Sequence, residues 1–68
     1  NPGFGRAHSN IAMLYYGLKY GKETVHHLAK AADIFKETGE DFMEKNARDL
    51  LQECGKEFGL TPEDCQTL

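Results

Sequence analysis

The sequence predicts an all-α fold: an antiparallel helical hairpin, a third helix packed beside it, and a short C-terminal helix. Three observations predict it. The only prolines are Pro2 and Pro62, so the stretch between them is free of the residue that breaks helices. Valine occurs once and isoleucine twice, and no run alternates apolar with polar residues for more than a few positions, which argues against strands. The apolar residues recur instead at steps of three and four.

The first helix is expected from about Arg6 to Lys19. Ala7, Ile11, Leu14, Tyr15 and Leu18 form one stripe, read as its core side. Pro2-Gly3 precedes it, and Gly17 to Gly21 breaks it. The second helix is expected from about Lys22 to Glu37, with Val25, Leu28, Ala29, Ala32 and Phe35 in one stripe widened by Ala31 and Ile34. Its alanines allow a neighbouring backbone to approach closely. The third is expected from about Gly39 to Phe58, on the stripe Met43, Ala47, Leu50, Leu51, Cys54 and Phe58. Its other side is charged, and Glu44 and Arg48 are spaced as a favourable four-residue pair. Thr38 with Asp41 resembles a capping box, and Gly59-Leu60 reads as a left-handed stop with an apolar contact. Thr61-Pro62-Glu63-Asp64 is a start signal for the short last helix.

Sixty-eight residues make one small domain at most. The chain starts at Asn1 rather than Met, and so reads as a piece of something longer. With 40% hydrophobic and 28% charged residues it is too apolar to be disordered. No apolar run approaches the ~20 residues of a membrane-spanning helix. A net charge of −3 excludes general attraction to nucleic acid or anionic lipid. The charge is unevenly spread: +3 over residues 1–36 and −6 over residues 37–68. A basic half of this kind suits an acidic partner, or the acidic half of a second copy.

The first two helices resemble a tetratricopeptide repeat, a hairpin of about 34 residues with fixed small and large positions. Laid on residues 5–38, Asn10-Ile11-Ala12 stands where the family has a leucine and a small residue. Tyr15 and Tyr16 stand at its paired tyrosines, Leu28 at a large apolar position, and Ala31 at its preferred alanine, with Ile34 a turn later. The chain departs from the pattern at His8 for a large apolar residue, Thr24 for alanine, Lys36 for the terminal proline and Lys19 for the turn glycine. The resemblance implies that residues 1–4 end a preceding repeat or link to it, 5–38 form the hairpin, 39–59 a capping helix, and 60–68 a short helix or tail. It also implies a protein–protein interaction module, not an enzyme. Its groove residues would be Arg6, Ser9, Asn10, Met13, Tyr16 and Gly17, facing a protein or peptide, with an acidic segment as the natural occupant. The other reading is a self-associating segment with no groove of its own.

No cofactor is implied. His8, His26 and His27 lack metal-ligand spacing, and adjacent positions on a helix point about 100° apart. They are read as surface or half-buried rings, His8 as a packed one. Cys54 and Cys65 could pair or stay free, and free thiols are the preferred reading, since two cysteines fix no compartment. The acids of the third helix read as a solvated face, and no catalytic constellation is visible.

Overall fold

The computed structural model describes residues 4–65. Three α-helices follow one another: α1 over Phe4–Gly17, α2 over Gly21–Glu37 and α3 over Asp41–Phe58, with a 3-10 turn over Pro62–Cys65. The expected link at residues 1–4 falls largely outside the described residues, as do residues 66–68 and the Cys65 side chain. α1 packs on α2, α3 packs on α2, and the terminal turn folds back onto α2 as well. The all-helical hairpin with a third helix is therefore the observed architecture, with α2 at its centre. The radius of gyration is 10.8 Å, close to the roughly 11 Å of a compact chain this long.

The core sits on α2. Val25, Leu28, Ala31, Ala32 and Phe35 are buried, as the stripe predicts. Two clusters share them. Val25 and Leu28 meet Ala12 of α1 and Cys54 of α3, with Tyr16, Leu51, Phe58 and Leu60 at the edge. Ala31, Ala32 and Phe35 meet Ala47, with Met43 beside them. Thr24 is also fully buried, and its hydroxyl donates to the carbonyl of Tyr20 at 2.8 Å, so no polar group is orphaned there.

α1 is turned from its expected orientation. Leu14 is 70% exposed and Leu18 61%, and Ala7 and Ile11 also face outward. Gly5 and Ala12 are buried instead, between half-buried His8, Tyr15 and Tyr16. The cause is Phe35. A Cβ on Gly5 would stand 2.6 Å from Cε1 of that ring, so the ring occupies the space a side chain would need. α1 therefore presents its smallest residues to α2, and the bulky stripe rotates away by roughly a third of a turn.

All three helices stop in the same way. Tyr20 N–H donates to the Tyr15 carbonyl and Lys19 N–H to Tyr16; Glu40 donates to Phe35 and Gly39 to Lys36; Leu60 donates to Gly55. The residue before each final donor is left-handed: Lys19 (φ 63°), Gly39 (φ 73°) and Gly59 (φ 68°). This is the Schellman stop, and at the first of them the Tyr15 and Tyr20 rings supply its apolar contact at 6.0 Å. The stop explains why α1 ends at Gly17 rather than Lys19. The expected capping box at Thr38 and Asp41 does not form. Glu40 is the N-cap of α3, and the Thr38 hydroxyl donates to its carboxylate at 2.6 Å while lying 3.2 Å from the Phe35 carbonyl. The expected Glu44–Arg48 pair is present at 2.8 Å.

Lys19 and Gly39 thus hold equivalent positions, one with a side chain and one without. Gly39→Ala should cost about 1–2 kcal/mol, because it puts a Cβ into the left-handed region. Lys19→Ala already bears that strain and loses only exposed contacts, worth under about 1 kcal/mol. Urea titration of both variants measures the difference.

On the α1–α2 seam, Nδ1 of His8 and Nδ1 of His27 lie 3.0 Å apart. Tyr15 stacks on His27 at 5.6 Å, and His26 meets it edge-on at 5.2 Å. One ring must donate and the other accept, so the pair holds only while at least one of the two nitrogens lacks a proton. His27's pKa is lowered by burial first, then by the charge of His8, His26 and Lys30, with Glu23 opposing. The unfolded chain takes up this proton near pH 6.5, where the folded chain resists it. Stability is then full above about pH 6.5 and falls as pH drops toward His27's lowered value. Thermal midpoints should decline as pH falls below about 6.5, and His27→Gln should flatten that slope. An unchanged slope would remove the pair from the account.

Candidate functional site

α1 and α3 both lie on α2, and a cleft forms where their edges meet. Met13 and Tyr16 line it from α1, and Leu50, Glu53, Cys54 and Glu57 line it from α3. Tyr16 is held in place. Its hydroxyl donates to Oε1 of Glu57 at 2.9 Å, and its ring meets Phe58 edge-on at 6.0 Å. Nζ of Lys19 sits 5.2 Å over the same ring and 3.9 Å from Glu57. The Glu57 hydrogen bond, with its charge behind it, pushes the Tyr16 phenol up in pKa. Burial pushes the Cys54 thiol up, and Glu57 and Glu53 add to it. Cys54 is a free, buried thiol that stays protonated at neutral pH, which makes it a packing residue rather than a nucleophile.

The cleft has a volume of about 170 Å³, room for one medium-sized side chain and too little for a cofactor. Met13 and Leu50 give it apolar sides, Cys54 is its buried lining residue, and Glu53 and Glu57 bring two carboxylates. A broader hollow of about 620 Å³ lies on another side of α3, between Arg48, Lys56 and the Gly59–Thr61 turn. That hollow is shallow, and the Arg48 at its edge is already engaged by Glu44 at 2.8 Å and Asp33 at 3.8 Å.

Of the six groove residues expected from sequence, the cleft takes up Met13 and Tyr16. Arg6, Asn10 and Gly17 are exposed on α1, and Ser9 is half-buried. The α3 wall was not foreseen. Leu50 and Cys54 belong to a legible stripe, but nothing in the order of residues says that Glu57 meets Tyr16 across 41 positions. The wall also changes the electrostatics. An acidic segment in the cleft would meet Glu53 and Glu57, so acidity there is disfavoured; only the Arg6–Asn10 end of α1 suits a carboxylate.

Among the described residues, no group of three or more His, Cys, Asp or Glu side chains is placed to hold a metal ion. No described helix is long and apolar enough to cross a membrane. No family model, curated protein or solved structure matches the chain.

Proposed function

We propose that the chain is a protein-interaction module of the tetratricopeptide type, one hairpin closed by a capping helix, whose α1–α3 cleft holds a peptide of a partner protein. The observation that carries this reading is the cleft itself: one apolar side-chain site beside Tyr16, rimmed by Glu53 and Glu57. Burial supports the family resemblance. Ala12, Thr24, Leu28 and Ala31, at the small and large positions of the repeat, are all fully buried. The outward side of α3, with Lys45, Asp49, Gln52 and Lys56 exposed, suits a helix that ends an array.

The peptide that fits places an apolar anchor between Met13 and Leu50 and a basic residue beside Glu53. A carboxylate further along would meet Arg6 and Asn10. The test is NMR titration of the labelled chain with decapeptides sharing a central leucine and carrying lysine flanks, glutamate flanks, or one of each. Lysine-containing peptides should shift Met13, Tyr16 and Leu50 at sub-millimolar concentration, and the all-glutamate peptide should not. Met13→Asp should abolish the shifts without changing the circular dichroism, since Met13 is exposed. No shift with any peptide at about 1 mM, an affinity of only about −4 kcal/mol, overturns the reading.

A further inference from the structure

Along the chain the histidines show no ligand spacing, but the hairpin brings two of their nitrogens together from positions 19 apart. Nδ1 of His8 and Nδ1 of His27 are 3.0 Å apart, and the ring centroids are 5.2 Å apart. The centroid distance is close to that contact plus the two ring radii, so the nitrogens face each other across the α1–α2 seam. Two nitrogens on one zinc ion, each at about 2.0–2.1 Å, stand roughly 2.8–3.4 Å apart for bond angles of about 90–109°. The observed separation falls inside that span. Both residues are half-buried, so the pair is set into the seam and still reachable from solvent.

We propose that His8 and His27 together bind a zinc-class divalent ion through their Nδ1 atoms, clamping α1 onto α2, with water in the remaining positions. Imidazole nitrogen suits this class of ion, whereas magnesium and calcium take oxygen ligands. The ion replaces the proton that the two nitrogens share, so the seam keeps its connection. His27 is held by Tyr15, stacked at 5.6 Å, and by His26, edge-on at 5.2 Å. The turn that aims both lone pairs at one ion therefore falls to His8. Of the charges acting on His27, Glu23 favours a cation there, and Lys30 and a charged His26 oppose it. The site uses two ligands, in keeping with the lack of any larger cluster among the described residues. Two ligands hold an ion weakly and exchangeably, unlike the closed four-ligand sites that build a fold.

The inference does not rest on the peptide reading. Neither histidine lines the α1–α3 cleft, so ion binding and peptide binding succeed or fail separately. The ion bridges two helices that part on unfolding, and so it stabilises the hairpin. At zinc about 100 times its dissociation constant, the folded-to-unfolded ratio should rise by up to about 100-fold.

The test is NMR titration of the labelled full chain with zinc chloride at about pH 7.5, where the imidazoles are neutral. A Cys65→Ser background removes a thiol that would compete for the ion. By about 1 mM zinc the ring nitrogens of His8 and His27 should shift together, with one ion per chain, and the thermal midpoint should rise. Magnesium at the same concentration should move neither ring, and copper(II) should bind more tightly than zinc. His8→Gln and His27→Gln should each weaken zinc binding by about 10-fold or more. Glutamine still reaches across the seam with a hydrogen bond, so circular dichroism should be unchanged. His26→Gln should leave the affinity within about threefold, since His26 is not a ligand. In the chain with all three histidines, no shift of the His8 and His27 rings by 1 mM zinc overturns the proposal. Zinc binding that persists at full strength in His8→Gln, or that is lost in His26→Gln, overturns it as well.

Discussion

Alanine at position 35 should leave the chain largely unfolded at 25 °C. Phe35 is 1% exposed and packs with Ala31, Ala32, Ala47 and Met43, while its ring lies over Gly5. It is a large side chain that touches α1, its own helix and α3 together. Truncating a buried phenylalanine costs about 3–5 kcal/mol, lost transfer energy plus an unfilled cavity. A chain of this length has about 3–10 kcal/mol in all, so the loss removes a large share of it. Urea titration followed at 222 nm measures the effect. A double-mutant cycle shows where the cost arises. Gly5→Ala alone forces a methyl into the ring and should cost about 1–3 kcal/mol, and Phe35→Leu alone about 1. Leucine vacates part of the space the methyl needs, so the double variant should be more stable than the sum of the two losses. Simple additivity would mean that the ring does not hold α1 through Gly5.

The second large effect is expected from ending the chain at Thr38. The hairpin alone would expose Val25, Leu28 and Ala32, which Cys54, Leu51, Phe58, Ala47 and Met43 now help to cover. Both core clusters include residues of α3, so the hairpin has no core of its own. A piece of about 40 residues without disulfides or metal is below the size that usually folds alone. Residues 1–38 should therefore be mostly unstructured at low concentration by circular dichroism and should aggregate as concentration rises. A soluble, cooperatively melting hairpin would show that α3 is not its cover and would remove the capping assignment with it.

α2 and α3 were legible because each has one dominant apolar side. α2 is covered on both edges, so its wide band of Val25, Leu28, Ala31, Ala32 and Phe35 could hardly be misplaced. In α1 periodicity and packing disagree for a physical reason. The helix has two candidate sides, one of Ile11, Leu14 and Leu18 and one of Gly5, Ala12 and Tyr16. Periodicity weighs side chains by how greasy they are and favours the first. Packing weighs them by fit, and with Phe35 already in place only the side of small residues fits. The candidate site divides in the same way. Met13 and Tyr16 were legible as one helical side, whereas Leu50, Glu53 and Glu57 became their neighbours only through a shared third helix.

The order of residues by itself determined the helices, their approximate limits and the left-handed stop at Gly59, because these depend on interactions within about six positions. It also determined two of the three core faces. The tertiary structure alone decided which side of α1 is buried, that His8 meets His27, and that two carboxylates border the cleft. Each of these depends on which surfaces compete for the same space on α2, and that competition is settled by volume and charge between segments distant along the chain.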